Sequence, residues 1–493
     1  METKYILAAV FLFSATCGAT LAACLSKHVR DALFFLMVAM AGVTESWDVN
    51  FVSREWYRGT TCGFEVSLVD VFAISLLVSS ILVPRRGEKR FFLPASLGLM
   101  LIYFFFAAFC VALADPRLFG YFALSKMIRG MIVFLAAALF VREERELRIF
   151  LYALGSIVCY EALRAIEQRY RFGINRVFGD LDAPNSLSMF LCMTAPVLLA
   201  ALNSKVSKPL KALCAVGVAL ASIGVLLTIS RTGVVTLGLV LLSTVAATVA
   251  WKLTPRKVFI TMFVVVAAAG ALAKSWNSLS SRFGEATLQE EYEDKHAQGR
   301  GYYLRMAAAL VEDHLFGVGP NNWSYWVSNK YGPRLGFKFS PYPGTDKPPK
   351  FVVATDANVD DPQAAPAHSL GALTVGEMGF GGLFLFTLLW LRWFQMGASF
   401  LWKRTAEPMR RIGVGILFGT IGIFLQSLTE WVFHQTAIFF TFNSLIGVLA
   451  ALYYHKRQAK KFPANEMEDD ETAPEFETDE AEAEFTYARR SSA

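Results

Sequence analysis

Apolar residues in this chain come in long runs separated by short polar stretches. The runs fall at about 5–25, 31–44, 66–83, 92–114, 118–141, 149–166, 187–202, 212–229, 233–250, 258–275, 371–391, 412–429 and 436–454. Most are long enough to cross a hydrocarbon core of about 30 Å at about 1.5 Å per residue. The pattern therefore predicts an all-α integral membrane protein with about 12–13 transmembrane helices. The run 31–44 is short and ends in Glu45, so it reads either as a span or as a re-entrant segment. The stretch 212–250 would be about 58 Å long as one helix, too long for a single crossing. Ser230-Arg231-Thr232-Gly233 cuts it, which predicts two antiparallel spans with Arg231 at a tight turn.

Every second loop is basic. Lys27/Arg30, Arg85–Arg90, Arg142/Arg145/Arg148, Lys205/Lys208/Lys211, Lys252/Arg256/Lys257, Lys403–Arg411 and Lys456–Lys461 fall on one side of the alternation. The positive-inside rule puts that side in the cytoplasm. The loops near 45–65, 165–186, 230–232 and 276–370 then face outward. The expected division is N-terminal transmembrane helices over 1–275, about ten in number, and a large periplasmic loop with amphipathic helices over 276–370. Three C-terminal transmembrane helices follow over 371–461, then a disordered acidic cytoplasmic tail over 462–493. A loop as long as 276–370 between spans is usually functional. Leu21-Ala22-Ala23-Cys24 resembles a lipoprotein cleavage signal, but processing there would place Arg85–Arg90 outside and break the charge pattern.

Composition sharpens this picture. Only 18% of the 493 residues are charged and 55% are hydrophobic, against about 25% charged in soluble domains. The chain is thus solvated largely by lipid and is not a soluble enzyme. Residues 464–484 hold eleven acids and no Lys or Arg, so the rest is more basic than the net +6 suggests. That surplus belongs to cytoplasmic loops and does not imply nucleic acid. Six of the seven Cys lie in apolar runs, and only Cys62 lies in a polar loop. No disulfide pair and no zinc spacing are present.

Candidate chemistry collects in the outward loops. Arg231 reads either as a cation snorkelling to headgroups or as an anion site facing a cavity. Gly299-Arg300-Gly301 opens the large loop, and Tyr303, Met306, Ala307, Leu310, Val311 and Leu315 then follow helical spacing. Arg300 sits at the start of that helix and Arg305 on another face, where a merely solvated role is the plain alternative. Gly317-Val318-Gly319-Pro320 ends it. His368 closes the loop as a helix cap, a surface residue or a base. Glu377 lies nine residues on, about 13 Å deeper and half a turn round in a regular helix. It reads as a partner for a buried Arg or other polar group, or as a site wall. Asn185, after Pro184, is expected to cap a span. Arg169, Arg171 and Arg176 attract an anionic substrate or pair with acids such as Asp180. Glu430 and His434 lie near the same face and are expected to line the same cavity. Asp356–Asp361 is half of a calcium loop, without its glycine and its closing glutamate.

The chain resembles the O-antigen ligase and polymerase superfamily of bacterial envelope glycosyltransferases. The matching pieces are Ala183-Pro184-Asn185, Ile229-Ser230-Arg231-Thr232-Gly233, Gly299-Arg300 ahead of Gly317-Val318-Gly319, and His368-Ser369 followed by Glu377, Gly379 and Gly382. The likeness covers about 180–395. Ser369 stands where the family usually has Asn, and the aromatic- and Pro-rich stretch 330–365 has no counterpart. The resemblance implies a GT-C-like architecture in the bacterial cytoplasmic membrane. It also implies inverting, metal-independent transfer, with no cofactor, from an undecaprenyl-diphosphate-linked glycan. The acceptor is a hydroxyl of lipid A core, a growing glycan or a protein on the outer face.

The residues suit that chemistry. Guanidinium forks bind phosphate oxygens and can replace a divalent cation. Arg231 and Arg300, then Arg305, are the expected diphosphate ligands. His368 is the expected catalytic base, because histidine supplies a neutral imidazole for acceptor activation. Asn185, Arg176, Glu377, Glu430 and His434 are the expected lining residues. The rival reading is a polytopic transporter or flippase for an anionic substrate, which predicts internal repeats and broken helices at mid-membrane.

Overall fold

The computed structural model describes residues 3–43, 48–83, 92–248, 280, 300–337, 339–349, 363–402 and 407–461. Its helices are α1 (Thr3–Leu25), α2 (Lys27–Ala41), α3 (Leu68–Leu82), α4 (Leu97–Leu113), α5 (Arg117–Phe140), α6 (Glu144–Tyr170), α7 (Pro184–Leu202), α8 (Lys208–Thr228), α9 (Arg231–Thr248), α10 (Arg300–Asp313), α11 (Leu370–Ala398), α12 (Met409–Ser427) and α13 (Thr436–Lys461). Among the described residues, nine of these are long and apolar enough to cross a membrane, and α3 and α4 are shorter apolar helices. A lipid environment leaves the backbone no outside hydrogen-bond partner, so each apolar run folds as a helix. The predicted run 258–275, the Asp356–Asp361 stretch and the tail from 462 lie outside the described residues. The doubtful run 31–44 is α2, whose 15 residues reach only about 22 Å. The loop read as polar near 45–65 carries an antiparallel hairpin, β1 (Val49–Phe51) and β2 (Phe64–Val66).

Helix α7 is buried on nearly every side, and α6, α8, α9 and α12 pack around it. Small residues let the backbones approach, as expected where no hydrophobic driving force separates helix from lipid. A Cβ at Gly419 of α12 would overlap the Met193 carbonyl, and one at Gly233 of α9 would overlap the Ser188 hydroxyl. A second flank joins α1, α2, α3 and α5. A buried ion pair ties it to the hairpin. The Arg129 guanidinium donates to both Asp70 oxygens, at 3.0 Å from Nε and 2.9 Å from Nη2, and to Glu65 at 3.2 Å. Asp70 also accepts from the Ser67 backbone N–H at 2.7 Å, closing the start of α3.

Helix α11 is broken. Gly379 has φ 65° and ψ −171° inside it, a region essentially restricted to glycine. The break frees the carbonyls of Gly376 and Glu377, which a regular helix would have satisfied four residues on. The loop after α10 supplies the replacement donors: Val318 N–H reaches Gly376 O at 3.0 Å and Gly319 N–H reaches Glu377 O at 2.8 Å. Gly317 makes this approach possible, since its φ is +70° and a Cβ there would overlap the Glu377 carbonyl carbon. Gly317→Ala should therefore lower stability by about 1–3 kcal/mol or more. A clear fall in the melting temperature of the purified protein is the expected readout, and an unchanged one would remove this account of the docking.

The amphipathic helix expected after Arg300 is α10. It buries Tyr302, Tyr303, Met306, Ala307, Ala309 and Leu310 against α11 and the Trp323–Tyr331 turns. Leu315, assigned to that face by spacing, is 71% exposed because the helix has already ended at Asp313.

Candidate functional site

The turn between α8 and α9 is two residues long. Ile229 takes the left-handed conformation at φ 53°, a strained state for a β-branched residue. Ser230 follows, and its hydroxyl accepts from Gly233 N–H at 3.3 Å. Arg231 thus begins α9 at the end of the bundle where α7 also begins, since Gly233 lies against Ser188.

Asn185 does not cap α7. Ala183 holds the cap position and Pro184 the first turn, so the Asn185 side chain is released for other contacts. Arg176 Nη2 donates to Asn185 Oδ1 at 3.4 Å, and Arg176 Nε faces the Thr228 carbonyl at 3.4 Å. A guanidinium only donates, so it fixes which end of the Asn185 amide is oxygen. The Asn185 Nδ2 then donates to Glu430 Oε1 at 2.7 Å. The other Glu430 oxygen, Oε2, lies 2.8 Å from His368 Nδ1. A carboxylate only accepts, so Nδ1 carries the hydrogen and Nε2 keeps the basic lone pair. Four of the expected site residues, Arg176, Asn185, Glu430 and His368, thus form one chain of hydrogen bonds. It ends at Thr228, three residues before Arg231.

His368 precedes Ser369, which caps α11 by accepting from Ala372 N–H. Its ring stands between two aromatic rings, Tyr303 of α10 at 5.6 Å and Trp431 at 5.8 Å, and its side chain stays 41% exposed. A basic nitrogen that is oriented yet open to the surface can take a proton from an approaching hydroxyl. His434 is stacked on Trp431 at 3.9 Å. Burial, with Lys126 adding to it, pushes the His434 pKa down to about 3, so this ring stays neutral.

Other expectations change. Among the described residues no arginine is hydrogen-bonded to Glu377; its Oε1 accepts from the Trp323 backbone N–H at 3.3 Å, and it lines a cavity with Trp431 and His434. The half-turn offset from His368 assumed a helix running from 368; α11 starts only at Leu370, after the extended Ser369, and stays regular as far as Glu377, before the Gly379 break. Arg305 lies on the exposed face of α10. The Arg300 backbone opens that helix, but its side chain lies outside the described residues. Arg169 and Arg171 turn to Asn175 and Glu167, and Asp180 is taken by Arg164.

A cavity of about 180 Å³ opens beside His368, from Trp431 and His434 down to Trp393 of α11. Lys126 and Asn321 line it, and neither was singled out from the sequence. Lys126, like Arg129, sits inside the run 118–141, and an ionisable group within a span is the signal that marks it. Lys126 Nζ donates to the His434 carbonyl and, at 3.4 Å, to that of Thr60. Asn321 Oδ1 accepts from Thr60 N–H at 2.6 Å, while its Nδ2 donates to the carbonyls of Thr61 and Phe119. Asn321 offered no sequence signal, because its role depends on joining the hairpin loop to α5.

Residues 216–352 match the family model described as O-Antigen ligase. The match takes in Arg231, Arg300, Arg305 and the Gly317–Gly319 turn, and it ends before His368. No curated protein matches the chain.

Proposed function

We propose that the protein transfers a glycan from a lipid-diphosphate donor to an acceptor hydroxyl, a reading that the match of residues 216–352 to the O-antigen ligase model supports. The reaction takes place on the outer face of the cytoplasmic membrane, with inversion and without a metal. The observation that carries this reading is the pair His368 Nδ1–Glu430 Oε2 at 2.8 Å, continued through Asn185 to Arg176 beside the start of α9.

In the proposed step the acceptor oxygen attacks the anomeric carbon as its proton passes to His368 Nε2. The bond from that carbon to the diphosphate oxygen breaks with its electrons, and the lipid diphosphate leaves with one more negative charge. Arg231 and Arg300 take up that charge, with Arg305 the outer ligand. Their planar forks do what a divalent cation would otherwise do. Glu430 holds the productive tautomer and stabilises the imidazolium that forms.

Among the described residues, the break in α11 is the feature that favours the transporter reading, since transporters use broken helices at their substrate sites. Here the freed carbonyls are occupied by Val318 and Gly319, so the break docks the loop, which suits the transferase better.

The test is transfer by the purified protein in nanodiscs, supplied with a lipid-diphosphate-linked glycan. Activity should survive EDTA. Restoration by magnesium or manganese of activity lost to the chelator would count against arginine neutralisation. Surface glycans of deletion cells separate the two branches of the superfamily. Loss of all long chains from the acceptor marks a ligase, and retention of single repeat units marks a polymerase.

A further inference from the structure

The C-terminal half of α6 carries polar side chains that the proposed step leaves unused. Glu161 is fully buried and Gln168 nearly so, although polar and ionisable groups in a span are costly and usually functional. Both turn to the backbone of one short segment, Phe178–Asp180. Gln168 Oε1 accepts from Phe178 N–H at 3.0 Å and from Gly179 N–H at 2.9 Å, while its Nε2 donates to the Gly179 carbonyl at 2.6 Å. Glu161 Oε2 accepts from Asp180 N–H at 3.0 Å. Gly179 lets the segment come this close, since its φ is +65° and a Cβ there would overlap Glu161 Oε2. Arg164 and Tyr160 of the same helix hold the Asp180 carboxylate.

Stability alone does not account for Glu161. Its Oε1 is buried without a hydrogen-bond partner among the described residues, and a carboxyl oxygen left that way costs more than an apolar side chain of similar size would. What the contact achieves is position. Val177 and Leu181, both buried, peg the segment to the core, and the grip on 178–180 fixes the backbone between them. Arg176 stands just ahead of that fixed stretch. It sets the Asn185 amide, and Asn185 in turn donates to Glu430, the partner of His368. A shift of about 1 Å at Arg176 passes along that chain of hydrogen bonds to the base, where misplacement of that size costs up to about 10²-fold in rate.

We propose that Gln168 and Glu161 are positioning residues, which hold the segment 178–180 so that Arg176 keeps Asn185 and Glu430 in register with His368. The inference rests on the transferase reading and adds to it a support that touches no substrate. A packing role alone would leave the rate unchanged in a protein that still folds.

The test is a double-mutant cycle on the full-length protein in nanodiscs, with melting temperatures measured throughout. Gln168→Ala and Glu161→Ala should each lower kcat about tenfold or more. Glu161→Gln keeps an oxygen for Asp180 N–H and should recover most of the rate. Because the two residues act through Arg176, adding Gln168→Ala to Arg176→Ala should lower kcat by no more than about a further twofold, although the melting temperature still falls. A substrate-free readout runs beside the kinetics. In protein carrying isotope-labelled histidine, the nitrogen NMR signal of His368, identified by its loss in His368→Ala, should move in Gln168→Ala and to the same place as in Arg176→Ala. Wild-type kcat in the folded Gln168→Ala and Glu161→Ala proteins, or in Arg176→Ala, would overturn the proposal. Losses that multiply in the double variant would also overturn it, since they mark a role independent of Arg176, and so would an unmoved His368 signal. A wild-type protein that transfers to no acceptor would sink the transferase reading, and the histidine spectrum then decides the positioning by itself.

Discussion

Replacing His368 by Ala is expected to cut the rate of glycan transfer by about 10²–10⁴-fold, the usual worth of a positioned general base. The effect should fall on kcat. The His368 ring contacts Glu430, Tyr303 and Trp431, and none of these belongs to the proposed diphosphate ligands. Donor affinity should therefore change little. Arg231→Lys and Arg300→Lys make the contrast, because they keep the charge and lose the planar fork. They should weaken donor binding, slow transfer, or both, where a charge-only account expects near-normal behaviour. Single-turnover rates and donor binding, measured on the same preparations, separate the two effects. A well-folded His368→Ala protein that transfers at the wild-type rate would end the assignment of the base. If both lysine variants were also normal, the whole constellation would be structural.

Glu430→Gln should be almost as damaging, for a reason that comes from its neighbours. In the wild-type protein Glu430 accepts twice, from Asn185 Nδ2 at 2.7 Å and from the His368 Nδ1 side at 2.8 Å. Glutamine can accept with only one of its two atoms. Asn185 is held in its orientation by Arg176, so the glutamine oxygen must face Asn185 and its NH₂ must face His368. The imidazole Nδ1 is then forced to accept and Nε2 to carry the hydrogen. The ring keeps its place but presents a donor where the acceptor hydroxyl needs a base. A loss of about 10²–10⁴ in kcat follows from the wrong tautomer alone. KM should move little, and Glu430→Asp, which still accepts twice, should recover part of the rate. A Gln variant with wild-type kcat would show that Glu430 only packs. Equal losses in the Gln and Asp variants would point to misplacement of the loop and not to the tautomer.

Much of the architecture was legible because lipid removes alternatives. A run such as 118–141 or 187–202 has no outside hydrogen-bond partner, so it must close its own ladder as a helix, and α5 and α7 stand where those runs predict. That 212–250 folds as two helices followed from length, since one helix of that size does not fit a bilayer; the turn itself falls at Ile229-Ser230, and Arg231, expected within it, begins α9. The apolar face of α10 followed from spacing until Leu315, where the helix stops and periodicity loses its meaning.

The site was legible as residue types and not as an arrangement. Arg231, Asn185, His368 and Glu430 could each be marked from the sequence, but Asn185 was expected as a cap, and nothing local said that it would reach Glu430. That contact joins residues 245 positions apart, and the His368–Glu430 contact joins residues 62 apart. Only the packing of α7 against α12 brings the ends of those elements together. The break at Gly379 belongs to the same class. Glycine in a membrane helix is common and by itself predicts no break. It opens here because the Gly317–Gly319 loop offers two N–H groups to the carbonyls that the break sets free. The sequence determined which segments lie in lipid and which side chains are costly to leave there. Tertiary structure decided which of those side chains satisfy one another, because a buried polar group is stable only with a partner, and these partners come from elements far apart in the chain.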